Sequence, residues 1–487
     1  MRKNRFGRIA CIIAVLFGTA IVSAAAQAYK TLSFNGIDGA NPEGALIQGT
    51  DGNFYGTGVN AGAHGGGTAF RITPAGKLTT LYSFCSLPAC TDGRTPFAGL
   101  LQSTNGNLYG VTAYGGANNA GTVFEISLAG SFTTLYSFCN LTNCTDGGEP
   151  YARLAQGANG NLYGTTSYGG ASNNGTVFEI TPAGKVTTLY NFCSQMHCVD
   201  GYLPFSGLAQ GRNGNFYGTT YLGGTSGNGT VFEITPAGKF SALYSFCPDS
   251  SVCSDGANPM AELARGNDGN FYGTTQYGGS SFFGVIFKIT PAGAMTTLYS
   301  FCSQTNCADG QTPLAGLVQA TDGNLYGTTY GYDQCTQGCG TIFSISPAGT
   351  LNTLFTFCAQ TGCANGSGPR ATLLQATDGN VYGTTFLGGK SPVCFEGCGT
   401  LFSLSLGLSP FVEAAPNFGK AGQPVRILGN NLGGTTSVTF NGTPAIFTVV
   451  SNTYIEATVP TGVTSGTIEV TTAEGALSSN AAFEVLP

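Results

Sequence analysis

Tryptophan is absent from this chain of 487 residues, histidine occurs twice, and only 9% of positions are charged, against a usual share of about 25%. With His64 and His197 alone, and no Gly-x-Ser-x-Gly elbow, there is little material for a Ser-His triad or a histidine metal centre. Basic residues are scarcer still. Arg2, Lys3, Arg5 and Arg8 crowd the N-terminus, leaving fourteen Lys and Arg against 24 acids, a balance that argues against a nucleic-acid partner. Past residues 9–22 no stretch approaches 18 apolar residues, so no further membrane span is expected. Gly65-Gly66-Gly67 lacks the Lys and helix of a phosphate-binding loop.

What is present is glycine, 76 residues or about twice ordinary usage, together with 33 Phe and 22 Tyr in a chain that is 42% apolar. Such a composition is poor in helix formers yet can bury a large core, which excludes disorder and predicts an all-β protein. The first 28 residues combine a basic start, an apolar stretch and Ala26-Gln27-Ala28, the pattern of a cleaved secretory signal, so the mature chain is expected to begin at Tyr29. Of 17 cysteines one, Cys11, lies in that leader. The even remainder in an exported protein points to disulfides rather than to metal or redox work, and to an extracellular location, secreted or at the cell surface.

A Gly-Asn-x-Tyr-Gly segment recurs seven times, its tyrosine at Tyr55, Tyr109, Tyr163, Tyr217, Tyr272, Tyr326 and Tyr382. Each unit also carries an Ala-x-Leu-x-Gln-like run (98–102), a Thr-Val-Phe-Glu-Ile-like run (122–126) and a Thr-Thr-Leu-Tyr-Ser-Phe-like run (133–138). Asp51-Gly52-Asn53 and its counterparts supply the positive-φ residues of tight hairpins, and Pro74-Ala75-Gly76 and its counterparts supply a second turn. Four runs per unit make a four-stranded antiparallel meander. A period of about 54 residues fits a propeller blade, and seven units predict a seven-bladed β-propeller over residues 29–407. The fourth-strand sequence appears once before any first strand, at Lys30-Thr31-Leu32-Ser33-Phe34, while the seventh unit lacks one. The N-terminal strand should therefore complete the last blade. Residues 408–487 lose the repeat and all cysteines, and their alternating strands suit an immunoglobulin-like β-sandwich.

The repeat, with Tyr-Gly-Thr-Thr (163–166), Gly169-Gly170 and Gly-Thr-Val-Phe-Glu-Ile (175–180), resembles the GloVer-type tandem repeat of exported bacterial proteins over residues 30–405. That resemblance implies export more than any particular activity. The tail is similar to an IPT/TIG domain through Pro416, Gly419, Gly422, Gly429-Asn430-Asn431, Val438-Thr439-Phe440, Val459-Pro460 and Ser465-Gly466-Thr467-Ile468. TIG domains serve in binding, spacing or surface display, so the similarity brings no catalytic residues. The chain ends Phe483-Glu484-Val485-Leu486-Pro487, without the apolar tail and basic stop of an anchored member.

Six cysteine pairs follow the fourth strands: Cys85 and Cys90, Cys139 and Cys144, Cys193 and Cys198, Cys247 and Cys253, Cys302 and Cys307, Cys358 and Cys363. Two more, Cys335 with Cys339 and Cys394 with Cys398, fall between strands two and three of the last units. All eight are expected to close locally, each fixing the shape of a short loop. After them come Asp92, Asp146, Asp200, Asp255 and Asp309, with Asn365 in the seventh unit and Asp38 in the cysteine-free first. A ring of acids invites calcium, but an acid recurring once per blade is better read as a turn former bonding the backbone two residues on. Neither a metal nor a cofactor is expected.

In a meander the loops joining strands two to three and four to one share one face of the ring. They hold every disulfide, most of the length variation, and Tyr114, Tyr168, Tyr221, Tyr277, Phe282, Phe283, Tyr330, Tyr332 and Phe386. Variable loops on a rigid scaffold are where recognition concentrates, which makes these aromatics the candidate ligand-binding set. The leading expectation is an exported, non-catalytic scaffold binding a cell-envelope or environmental ligand, glycan or protein, although the missing tryptophan weakens the glycan case. The alternative is a carbohydrate-active hydrolase or lyase using one-off channel carboxylates such as Glu149 or Glu262, a reading that three or more acids from single blades converging in the channel would favour. A third reading is a purely structural surface protein.

Overall fold

The computed structural model describes residues 28–248, 252–331, 339–358, 361–391, 393–394 and 396–486. Its first meander consists of Ile47–Gln48, Phe54–Gly58, Thr68–Ile72 and Leu78–Ser83, paired in that order. The same order recurs in five further sheets. In the seventh, Leu374–Gln375, Val381–Thr385 and Thr400–Leu404 are joined by the N-terminal strand Tyr29–Ser33, which runs antiparallel to the third with Tyr29 opposite Leu404 and Ser33 opposite Thr400. The displaced fourth strand thus completes the last sheet and leaves no open edge there.

The sheets are propeller-like blades because each buries both faces against its neighbours. Second strands such as Leu162–Thr166 are buried at every position, including the threonines: Thr165 Oγ1 donates across the blade contact to the Ser206 carbonyl at 2.9 Å, while Thr166 Oγ1 meets Thr176 Oγ1 within the blade at 2.9 Å. The Tyr-Gly tyrosines sit in these contacts. Tyr163 meets Phe216 of the next sheet with ring centres 4.3 Å apart, and Tyr382 meets Phe54 at the same distance, which joins the seventh sheet to the first. A second seam comes from a recurring glutamine. The Gln102 side chain accepts from the Thr50 amide of the preceding blade at 3.0 Å, Gln319 accepts from Asn267 at 2.8 Å, and Gln48 accepts from Thr377 at 2.9 Å across the closure.

The innermost strands are shorter than their sequence suggests. Residues 98–102 read as one run, yet only Leu101–Gln102 pairs. Near the axis neighbouring chains crowd one another: a Cβ on Gly44 would lie 2.5 Å from the Gly99 amide nitrogen, and one on Gly99 would lie 2.5 Å from the Ala45 carbonyl oxygen. Convergence at the centre takes the space that ladder pairing would need, so these segments line a channel instead.

The C-terminal region is a β-sandwich. One sheet orders Glu413–Ala415, Pro424–Leu428, Tyr454–Thr458 and Phe447–Ser451, and the other Thr443–Pro444, Ser437–Phe440, Ile468–Thr472 and Gly475–Ser478. Phe418–Lys420 and Glu484–Leu486 form a parallel pair beside them. Alternation of apolar and polar residues, as in Ile468–Thr472, places Val425, Ile427, Val438, Phe440, Ile455, Val470 and Phe483 in one core.

Candidate functional site

Among the described residues, seven disulfides close between near neighbours: Cys85–Cys90, Cys139–Cys144, Cys193–Cys198, Cys247–Cys253, Cys302–Cys307, Cys358–Cys363 and Cys394–Cys398. Cys335 lies outside the described residues, and Cys339 is itself disulfide-bonded. The acid that follows each loop is structural, but not in the expected manner. Asp92 is fully buried and reaches back: its Oδ2 accepts from the Ser86 amide, the Ser86 hydroxyl and the Tyr82 hydroxyl, each at 2.8 Å, and its Oδ1 from the Leu87 amide at 3.2 Å. Asp146, Asp200 and Asp309 repeat this pattern. The bond two residues on belongs instead to the hairpin acids, as from the Asn53 amide to Asp51. Disulfide and carboxylate together hold the loop, and the carboxylate oxygens are spent on N–H and O–H donors that calcium would have to displace. Although burial opposes its charge, these donors hold the Asp92 carboxyl below the usual range.

The nine candidate aromatics divide. Tyr168, Tyr277 and Phe282 are exposed; Phe283, Tyr114, Tyr221, Tyr330 and Phe386 are half-buried. Tyr332 lies outside the described residues. Tyr114 bonds the Tyr151 hydroxyl, and Tyr221 donates to Gln276 at 3.1 Å. Arg370 stacks on Phe386 at 3.9 Å and on Tyr330 at 4.8 Å. Tyr114, Tyr221, Tyr330 and Phe386 therefore serve as a second layer behind a ring of residues that the sequence pattern also contained.

That ring is the position after each blade's proline: Glu43, Phe97, Tyr151, Phe205, Met260, Leu314 and Arg370. The proline before it and the leucine three positions beyond it are the same in all seven units, while the residue itself takes six identities in seven blades, and this contrast was the available signal. All seven are half-buried and line a cavity of about 820 Å³ in the channel. Phe97, Tyr151 and Phe205 form an aromatic arc with ring centres 5.1 and 5.4 Å apart, backed by Tyr221 at 5.7 Å from Phe205. Arg370 Nη1 approaches Glu43 at 3.4 Å, and its buried Nε has no partner. Burial pushes the Glu43 carboxyl up despite Arg370. It likewise pushes up the Tyr151 hydroxyl, with Tyr114 and Glu149 adding to the effect, so this phenol is a hydrogen-bonding group rather than a base. The mouth is amphipathic, apolar along one arc and ionic at the junction of the seventh and first blades.

Deeper in the channel, Arg153 of the third blade meets Glu262 of the fifth at 3.1 Å. Glu149, the other one-off acid, stands outside the cavity lining. The far end is covered by the C-terminal sandwich, which sits on the face of the short hairpins. Thr453 donates to the Thr50 carbonyl at 2.9 Å, Arg426 to Ser103 at 2.6 Å, Asn480 to Gln319 at 2.7 Å and Asn430 to Thr377 at 2.8 Å. Glu484 lies 3.1 Å from Arg212 and 3.8 Å from Arg265, the latter standing where other blades have the clamping glutamine. The hairpin face is thus an internal contact surface, and its uniformity suits that use.

Among solved structures, a fungal alcohol oxidase of the AA5 family in complex with copper matches at 14% identity and a TM-score of 0.52, covering 94% of this chain and 99% of that one. The extracellular domain of the hybrid two component system BT4673 from B. thetaiotaomicron matches at 13% identity and a TM-score of 0.50, with 94% of this chain aligned. The chain spans 59% of the latter's length. At these identities the likeness is one of fold. Copper belongs to the oxidase; here His64 and His197 are exposed in separate loops, and the metal-capable trio found among the described residues, Cys339, Cys358 and Cys363, is disulfide-bonded. No curated protein matches the sequence. The Gloeobacter/Verrucomicrobia repeat profile matches residues 16–145 and 139–334, and the IPT/TIG profile matches 411–485. An all-β chain of repeated blades, closed by its own N-terminal strand and carrying a C-terminal IPT/TIG domain, belongs to the Gloeobacter/Verrucomicrobia repeat family.

Proposed function

We propose that this protein is an exported, non-catalytic scaffold that binds a cell-envelope or environmental ligand, glycan or protein, at the channel mouth on the disulfide-bearing face. The observation that carries this reading is the variable ring Glu43, Phe97, Tyr151, Phe205, Met260, Leu314 and Arg370 opening on a cavity of about 820 Å³ in an otherwise repetitive frame. The disulfides, the leader ending at Ala28 and an extracellular-domain structural neighbour suit an extracellular setting. The boundaries 29–407 for the ring and 408–487 for the sandwich belong to the same proposal. Two features favour binding over hydrolysis. Among the described residues, two cavity acids come from blades, Glu43 and Glu262, and each faces an arginine, so neither is poised as a free acid or nucleophile. The outer aromatics Tyr168, Tyr277 and Phe282 form an extended contact rim in this reading.

The test is a glycan and envelope-extract binding screen on the mature chain, repeated with Tyr151→Ala and Phe205→Ala. Binding should weaken about tenfold, or ~1.4 kcal/mol, in each variant that keeps the wild-type melting temperature. Undiminished binding in both would rule out the channel mouth.

A further inference from the structure

The cavity beneath the aromatic arc ends on charges contributed by both parts of the chain. Arg153 and Glu262 pair with each other, whereas Glu413, on the first strand of the sandwich, projects a carboxylate that makes no ion pair and accepts no hydrogen bond among the described residues. Glu413 is exposed to the solvent of the cavity, and the protein around it pushes its carboxyl up against the opposing pull of Arg153. A partly desolvated anion without a partner is a ready site for a cation. Arg153 on the floor lies two positions along the chain from Tyr151 in the mouth, at most about 7 Å of extended chain and about the depth of one sugar ring.

We propose that the pocket takes the terminal residue of an amino-sugar chain, its apolar face against Tyr151 and Phe205 and its ammonium at Glu413. The proposal rests on reading the channel mouth as the ligand site and adds the ligand's chemistry. A chain end, rather than the interior of a polymer, is required because the sandwich covers the far end of the channel. Glu413 would make the C-terminal domain part of the site rather than a spacer, and the ionic floor would reject the neutral acetamide of an N-acetylated sugar.

Calorimetric titration of the mature chain with a glucosamine oligosaccharide, its N-acetylated counterpart and a short peptide with a free N-terminus tests this. The glucosamine chain should bind at least tenfold tighter than either competitor. Glu413→Gln should remove that preference, while Glu469→Gln on an exposed face of the same domain should leave it intact. Affinity for the glucosamine chain should also fall as pH drops through the titration of Glu413. If the N-acetylated chain or the peptide binds as tightly, or if Glu413→Gln has no effect while Tyr151→Ala weakens binding, the amino-sugar assignment is wrong and the channel mouth remains the site. If no glycan binds and Tyr151→Ala changes no interaction with envelope extract, both readings fail.

Discussion

Single residues here do two kinds of work, holding loops and setting charge. Replacing Asp92 by Ala leaves the Ser86 and Leu87 amides and the Tyr82 hydroxyl without their acceptor, and should cost about 2 kcal/mol in denaturant unfolding. The carboxylates divide by sign. Asp268 is held down to about 2 because donors from Asn270, Lys288 and Tyr272 outweigh its burial. With its folded value below its unfolded one, the unfolded state takes up more protons as pH falls. Its contribution is present above the ordinary Asp range and disappears between about 4 and 2. Glu413 runs the other way. Its raised value means that stability is lost as pH climbs above the ordinary Glu range, so Glu413→Gln should melt higher than wild type at neutral pH and converge with it in acid. The role of Asp92 as a fixed part of its loop was legible from recurrence once per blade. Its partners were not, because the backward bond exists only once the disulfide loop has brought Ser86 round to it.

At the scale of elements, the chain's first strand is the most exposed dependency. Deleting Tyr29–Ser33 removes five ladder positions from the seventh sheet, leaves Thr400–Leu404 as a bare edge, and takes away the Tyr29 ring stacked 4.2 Å from Phe355. Stability should drop by several kcal/mol, with aggregation on heating, whereas deleting Glu484–Leu486 from the sandwich should leave the ring's own transition in place. A calorimetric scan of both variants checks this, and an unchanged ring transition in the first would contradict closure by that strand. Peptide mapping of non-reduced protein should recover the seven near-neighbour disulfides found among the described residues, with cross-blade pairs as the contrary result. Blade strands were readable because β-branched and aromatic runs end at Asn-Gly and Pro-Ala-Gly turns. The shortened innermost strands were not, since only crowding at the axis decides that residues 98–100 go unpaired.

For the whole molecule, the main consequence is that the C-terminal domain is fixed to the ring over the hairpin face. Glu484→Lys would set a third cation against Arg212 and Arg265. Each partly exposed pair is worth up to about 1 kcal/mol, so reversal of the shared acid should loosen the docking. The expected outcome is a larger radius of gyration in solution scattering and faster proteolysis between residues 405 and 412, both mimicked in part by high salt in the wild type. Unchanged scattering would show that the hydrogen bonds of Thr453, Arg426, Asn430 and Asn480 suffice alone.

By itself the sequence determined the repeat, the four-strand unit, closure by the N-terminal strand, the near-neighbour cysteine pairs and the sandwich that follows. All of these are written in local patterns of turn residues and alternating apolar positions, or in spacing along the chain. Tertiary structure alone decided what meets at the axis. The residue after each proline is one of 54 to 56 in its repeat, and only closure of the ring turns seven such residues into a single mouth. The pairing of Arg153 with Glu262 across 109 positions, and the arrival of Glu413 beneath them, depend on where whole sheets and a second domain come to rest, a geometry that no window of sequence contains.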